Sequence, residues 1–109
     1  MIRTFNMLGR PNDTFTLLST AVAQSLAAAK LTDGGRSLCA MMITVDTNDV
    51  KIAFGGATPI LGAGGLGHVL KKDLPPVEIV GESACSSFMY ITAVGVAHGN
   101  LQITPFYTG

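Results

Sequence analysis

The sequence predicts an all-β domain, either an antiparallel β-sandwich or a small β-barrel, with one possible short helix near residues 21–31. Apolar and polar residues alternate over short stretches, which is the period of a strand with one buried face. Turn-forming residues separate these stretches at short intervals, as in sandwiches and barrels. The 109 residues suffice for one domain, which we place at residues 14–109 behind an N-terminal arm, residues 1–13.

The first third of the chain predicts an arm, a strand and a segment whose secondary structure is ambiguous. Residues 1–13 contain glycine, proline, asparagine and aspartate, which interrupt regular structure, so this segment is predicted to be an arm. Residues 14–19, TFTLLS, are rich in β-branched and aromatic types and predict a strand. Residues 21–31, AVAQSLAAAKL, have good helix propensity, but an extended segment in a β chain is equally consistent with them.

Residues 38–54 predict a β-hairpin. The first strand, LCAMMITVDT, has an apolar odd-numbered face, and the second, VKIAF, alternates in the same way. Residues 47–49, Thr-Asn-Asp, are typical of a turn between the two strands. The inward positions are Cys39, Met41, Ile43, Val45, Val50, Ile52 and Phe54, and Lys51 and Ala53 lie on the other face.

The second half predicts a long loop followed by three strands. The loop runs from Gly55 to about Gly67. The strands are residues 77–80, a central strand from Cys85 to Ala93, and a closing strand at residues 101–107 with Leu101 and Ile103 inward; turns are expected at 81–83 and 95–100. Pro105 has no backbone N–H for a sheet ladder, so the closing strand is expected at a sheet edge or leaving the sheet.

Charge and hydropathy indicate a protein that covers its surface with partners. Seven basic and seven acidic residues give a net charge of zero, and the mean hydropathy is +0.44. This balance argues against nucleic-acid binding, and no stretch approaches the ~18 consecutive apolar residues of a membrane helix. A neutral, charge-poor small domain is poorly soluble by itself. We therefore expect contacts with copies of the chain or with another protein.

Gly62 to Gly67 matches G-x-G-x-x-G, the glycine pattern of dinucleotide-binding folds. That pattern binds phosphate only where a strand precedes it and a long helix begins within it. Here only seven residues separate Gly67 from Pro75, and no second strand–helix–strand unit follows. The stretch is therefore interpreted as a glycine-rich surface loop, and no cofactor is predicted.

Other reactive side chains form no recognisable constellation, so we predict no catalytic or metal-binding residues and no enzymatic activity. Cys39 and Cys85 lie in apolar runs and are interpreted as reduced core residues. His68 is interpreted as a hydrogen-bonded turn residue and His98 as a solvated one. The remaining alternatives are a calcium site at Asp46, Asn48 and Asp49, and a nucleophilic Cys85.

The stretch from Ile43 to Tyr107 resembles small virion structural proteins of tailed bacteriophages. The resemblance covers roughly sixty residues and consists of an ordered series of short motifs, each weak by itself. These motifs are TVDT at 44–47, FGG at 54–56, TP at 58–59, GHVL at 67–70, FMYITA at 88–93 and LQIT at 101–104. The glycine-rich insert at 62–67 and the alanine-rich segment at 21–29 depart from the pattern.

The resemblance implies a non-enzymatic, all-β component of a virus particle, assembled in the host cytoplasm and located in the virion. The preferred interpretation is a capsid decoration or cement protein that binds the major capsid protein and itself, with a trimer favoured. The alternative is a neck or tail-associated virion component with the same fold. A small-molecule or sugar-binding β module would need a pocket with converging polar groups.

Overall fold

The computed structural model describes residues 9–62, 64–94 and 98–108. Two antiparallel sheets enclose one core, which confirms the predicted all-β sandwich. The ten strands are β1 (Arg10–Pro11), β2 (Phe15–Leu18), β3 (Gln24–Ser25), β4 (Thr32–Asp33), β5 (Arg36–Asp46), β6 (Val50–Ala53), β7 (His68–Leu70), β8 (Val77–Val80), β9 (Met89–Thr92) and β10 (Asn100–Tyr107). A 3₁₀ turn, Ala28–Lys30, and a short helix α1, Glu82–Ser86, complete the described fold.

The larger sheet is built around β10 and β5, which pair along almost their whole length. β1 and β2 lie end to end on the far side of β10, while β8 and β4 border β5. The smaller sheet has the order β3-β9-β6-β7. The buried core side chains between the sheets include Met41, Ile43, Leu101 and Ile103 from the larger sheet and Val50, Ile52 and Tyr90 from the smaller.

The predicted hairpin at residues 38–54 is wrong, because its two strands belong to different sheets. β5 pairs with β10 and β8, whereas β6 pairs with β9 and β7. The turn at 47–49 therefore carries the chain across the sandwich. All four residues of β6 are buried, so this strand needs a partner on each edge and a cover on each face. Turn residues alone do not show whether the chain crosses to the other sheet or turns back to pair within the same sheet.

A β-bulge at Cys39 changes which residues of β5 face the core. Ala40 lies opposite Phe106, but Leu38 lies opposite Tyr107, which leaves Cys39 as the extra residue. Leu38 therefore takes the inward position that the alternation assigned to Cys39. Cys39 is half-buried, and its Sγ donates to the carbonyl of Phe106 at 3.3 Å.

Residues 21–31 contain no α-helix. Gln24–Ser25 pairs with β9, and the helical signal is reduced to the 3₁₀ turn. Leu26 is buried in the core and Leu31 packs against it. Packing of these two leucines and pairing with β9 override local helix propensity, because differences in propensity are worth only about 0.5 kcal/mol per residue.

Residues 81–93 also differ from the prediction. Instead of a turn and one long strand, α1 places Cys85 in the core, and the strand begins only at Met89. The Ser87 hydroxyl donates to the carbonyl of Ser83 at 2.7 Å, a local bond that closes the helical turn. The central position predicted for this strand is confirmed, since β9 lies between β3 and β6.

Pro105 lies in a central strand, contrary to the prediction of an edge. Its carbonyl accepts the N–H of Asn12 at 3.0 Å. The amide nitrogen of a strand residue points to the same side as its carbonyl, so the missing donor of Pro105 faces the break between β1 and β2. Leu101 and Ile103 are fully buried, as predicted.

The described part of the predicted arm is attached to the sheet. Arg10 and Pro11 form β1 opposite Tyr107 and Phe106. Residues 1–8 of the arm and 95–97 of the predicted turn at 95–100 lie outside the described residues.

Candidate interaction surface

The two sheets meet along a side that we call the open seam, residues 68–80. It consists of β7, the crossing segment 71–76 and β8. β7 pairs only with β6, and β8 only with β5, within the described part of the chain. β7 therefore presents backbone N–H and C=O groups on its outer side, which is the arrangement by which a sheet adds a further strand.

Aliphatic side chains cover the open seam. Val69, Leu74 and Val77 are 46%, 55% and 37% exposed and border one groove of about 250 Å³ between the sheets. Ile43 and Val45 form the floor of this groove. A single exposed valine is ordinary, but a contiguous apolar group beside the edge strand of a sheet is typical of a protein-binding surface.

Two bonds to neighbouring elements fix the crossing segment. The N–H of Asp73 donates to the carbonyl of Val45 at 2.8 Å, and the N–H of Lys72 donates to Asp49 Oδ1 at 2.9 Å. The ammonium of Lys71 lies 3.5 Å from Asp49 Oδ2. The Lys72 N–H, and secondarily the Lys71 charge, lower the pKa of Asp49. These bonds hold the crossing segment in place and so fix the shape of the open seam.

The glycine-rich loop surrounds a buried lysine. Lys51 lies in β6 with only 3% of its surface exposed, and its side chain extends beneath the loop. Its Nζ donates to the carbonyls of Ile60, Gly62 and Gly65 at 2.8, 2.6 and 3.3 Å. The three ammonium hydrogens are therefore matched by three backbone oxygens.

The glycines allow the loop to approach Lys51 closely. Gly67 has a φ of +130°, and a Cβ there would lie 2.5 Å from Cγ of Lys51. A Cβ on Gly65 would overlap the carbonyl oxygen of Ile60. Because these positions need glycine for packing, the match to a nucleotide pattern has a local structural cause.

The polarity of this loop is opposite to that of a phosphate cradle. A phosphate site directs backbone N–H groups toward the ligand. Here carbonyl oxygens converge, while the N–H groups of Gly62 and Gly65 donate to Ala93 and Gly62. A strand, β7, follows Gly67, where a dinucleotide site begins a helix. Residue 63 lies outside the described part.

The histidines do not share a site with the cysteines in the described geometry. His68 lies exposed in β7, opposite Ile52, and so is a strand residue and not the predicted turn residue. His98 is exposed, and its Nδ1 lies 2.7 Å from the carbonyl of Ser19. Since that carbonyl only accepts, Nδ1 carries the proton.

The two cysteines do not form a disulfide with each other, and Cys85 lies in the core as predicted, whereas Cys39 is only half-buried at the bulge. Cys85 is fully buried in the core, and burial raises the pKa of its thiol to about 12. Burial, and then the charge of Glu82, raise the pKa of Cys39. A nucleophilic thiol requires the opposite shift, so neither environment favours thiolate chemistry.

The turn at 47–49 holds its carboxylates by separate contacts. Asp46 Oδ1 accepts from the Thr47 hydroxyl and from Asn100 Nδ2, at 3.0 and 3.1 Å. These bonds lower the pKa of Asp46, and the bond from Asn100 has the largest effect. Asp49 instead holds the crossing segment. No cluster of three or more His, Cys, Asp or Glu side chains suited to a metal ion occurs among the residues that the structure describes.

On the opposite side of the sandwich lies a polar cluster, Ser19, Thr92 and Gly99, that we call the closed seam. The hydroxyls of Ser19 and Thr92 share a bond of 2.8 Å, and Ser19 Oγ accepts the N–H of Gly99 at 2.8 Å. Both hydroxyl residues are fully buried. This cluster was not predictable from the sequence, because serine and threonine at strand ends resemble ordinary turn residues.

Among the described residues, no helix has the length and apolar character needed to span a bilayer. No protein-family model, curated protein or solved structure matches the chain.

Proposed function

We propose that this protein is a structural component of a bacteriophage virion, a capsid decoration or cement protein. It binds the major capsid lattice as a homo-oligomer, with a trimer favoured, and stabilises the shell. The open seam is the observation that carries the proposal, because it places exposed aliphatic side chains beside β7, whose one strand partner in the described part of the chain is β6, on a chain of zero net charge. The motif order from Ile43 to Tyr107 supports the choice of a virion component.

The proposed mechanism is burial of surface. Covering Val69, Leu74 and Val77 removes apolar area from water at roughly 25 cal/mol per Å². Strand pairing at β7 satisfies backbone groups and fixes the register of the contact. A repeating lattice then converts modest single contacts into firm attachment, since each oligomer binds at several points.

The N-terminal arm is proposed as a second contact. The chain enters the sheet at Gly9, against the carbonyl of Tyr107, and β1 follows immediately. Deletion of residues 2–8 therefore leaves β1 in place and tests the arm separately from the fold. We expect lower capsid occupancy, with the free energy of unfolding measured in parallel to check the fold; unchanged occupancy would remove the arm from the proposal.

The open seam is tested with two matched variants. Leu74→Asp places a charge in the seam, and Val22→Asp places one at an aliphatic residue that is 71% exposed elsewhere; neither position lies in a strand. Each purified variant is added to capsids that lack this protein, and bound protein is quantified by sedimentation and electron cryomicroscopy. We expect Leu74→Asp to lose binding and Val22→Asp to retain it.

The same images separate the two virion interpretations. Density at every equivalent position of the shell supports decoration, whereas density confined to one ring at a vertex supports the neck or tail component. Failure of the unmodified protein both to bind particles and to self-associate would contradict the proposed function.

A further inference from the structure

Lys51 is a buried cation whose described hydrogen bonds all go to backbone carbonyls. Ile60, Gly62 and Gly65 provide these oxygens, while the ion pair at Asp49 involves Lys71 instead. Removing an ammonium from water is costly unless its hydrogens are bonded. Three carbonyl dipoles directed at one nitrogen supply that compensation, as carbonyl cages do for monovalent cations.

The loop that supplies the cage lies over the outer face of the smaller sheet. We call residues 60–62 and 64–67 the strap. Beneath and beside it, Ala53, Ile91 and Ala93 are buried, each no more than 5% exposed. The strap is also joined to the sheet by the N–H of Gly62, which donates to Ala93, and it is closed on itself by the N–H of Ile60, which donates to Leu66.

We propose that the strap is a binding site for an alkylammonium group and that Lys51 supplies this group from within the chain, as a latch. The carbonyl cage recognises the cation, Gly67 leaves room for the lysine stem, and Gly65 leaves room for the carbonyl of Ile60. Latching fixes the strap against the sheet. Without the ammonium, three carbonyl oxygens face one another and repel, so the strap opens.

The latch also orders an exposed apolar tip. Ile60 and Leu66 are 55% and 53% exposed and are joined by the 2.8 Å bond between their backbones. This step rests on the proposed function: the tip is a further contact with the particle, and Lys51 is the residue that positions it. A preordered tip loses less conformational entropy on binding.

The first test uses the unmodified protein. Nitrogen-15 spectra of the lysine side chains at mildly acid pH report whether an ammonium exchanges its hydrogens with water. We expect Lys51 to show slowly exchanging hydrogens with couplings to carbonyl carbons of the strap. Rapid exchange, like that of an exposed lysine, would overturn the latch without the use of any variant.

The second test removes the latch and restores its chemistry. Lys51→Ala deletes the atoms that propylammonium contains, and Lys51→Met keeps an apolar stem without the charge. Hydrogen exchange at Ile60, Gly62 and Gly65 is expected to accelerate about tenfold or more in both variants, as the loss of charge-assisted bonds implies. Added propylammonium should restore protection in Lys51→Ala in a saturable way.

Two controls make the rescue specific. Tetramethylammonium has the charge but no hydrogen to donate, so it should not restore protection. Lys72→Ala removes a nearby positive charge outside the cage and should leave exchange at the strap unchanged. Equal protection in Lys51→Met and the unmodified protein, or equal rescue by both cations, would overturn the latch.

Particle binding separates this inference from the proposed function. If the unmodified protein binds capsids, Lys51→Met is expected to bind at least several-fold more weakly, and an unchanged affinity would overturn the role of the strap as a contact. If the unmodified protein does not bind, the proposed function fails, while the exchange results still decide the latch.

Discussion

The two sides on which the sheets meet are closed in opposite ways. At the closed seam, Ser19, Thr92 and Gly99 form a buried network of hydrogen bonds that joins the two sheets. At the open seam, the chain also crosses between sheets, but Val69 and Leu74 remain about half exposed, and β7 pairs with β6 alone among the described strands. One side is closed by buried hydrogen bonds, and the other leaves an apolar groove exposed in the described part of the chain.

This difference indicates where stability and where association reside. A buried polar network is costly to break, because each remaining member loses its partner without gaining water. An exposed aliphatic edge changes little in the folded monomer when it is altered, but it changes what the monomer can bind. Substitutions at the two seams should therefore have separable effects.

The largest effect is expected at Gly99. A Cβ there would overlap the carbonyl of Asn48 and lie 2.7 Å from Cγ2 of Val50. Gly99→Ala should lower the free energy of unfolding by about 2–3 kcal/mol, the range of overpacked cores. Urea denaturation measures this change. Gly34→Ala is the control, since open space surrounds its Cβ and only left-handed strain of roughly 1 kcal/mol applies.

Ser19→Ala should have the next largest effect. It leaves the Thr92 hydroxyl and the Gly99 N–H without their Ser19 partner, at a cost of about 1–2 kcal/mol. The double variant with Thr92→Val should cost less than the sum of the single changes. Thr16→Ala, whose bond to Gln102 is exposed, should change stability by no more than about 0.5 kcal/mol. Equal effects at Ser19 and Thr16 would contradict the comparison.

The strands were predictable where alternation alone determines them. Residues 14–19, 77–80 and 101–107 form strands close to the predicted bounds, because apolar side chains on one face of each pack in or against the core. The partner of a strand is not a local property. The hairpin was wrong because residues 47–49 form a turn in either topology, and the choice depends on β9 and β10, which lie far along the chain.

The surfaces were less predictable than the strands. The long loop was predicted, but nothing local to Lys51 indicates that its ammonium lies among carbonyls of residues 60–65. The glycine pattern was the available signal, since close packing of backbone on a side chain requires glycine. Composition predicted that partners cover part of the surface, but it did not locate the open seam, because exposed valines can be identified only after the edges of both sheets are placed.

At the open seam, association should change while folding does not. The double variant Val69→Thr and Val77→Thr keeps side-chain shape and strand propensity but adds two hydroxyls to the groove. We expect the free energy of unfolding to change by less than about 1 kcal/mol, because both residues are substantially exposed. Sedimentation over a concentration series should show weaker self-association. An unchanged association curve would place the contact elsewhere on the molecule.

The smallest effect is expected for Asp49, which attaches the open seam to the turn at 47–49. The Lys72 N–H, and then the Lys71 charge, lower the pKa of Asp49 below its ordinary value of 3.8. A depressed folded pKa means that the stabilisation is present above the unfolded pKa and is lost as the pH falls through the folded pKa. Asp49→Asn should therefore lower the free energy of unfolding slightly at neutral pH and leave it unchanged at pH values below the folded pKa of Asp49.

Salt separates the two causes of the Asp49 shift. At about 1 M salt the Debye length is near 3 Å, so the contribution of the exposed Lys71 is screened, whereas the Lys72 N–H bond remains. The difference between Asp49→Asn and the unmodified protein should thus persist in high salt, and Lys71→Ala should reproduce only its salt-sensitive part. If salt abolishes the whole difference, the crossing segment is held by charge and not by the backbone bond, and the open seam is less rigid than its geometry indicates.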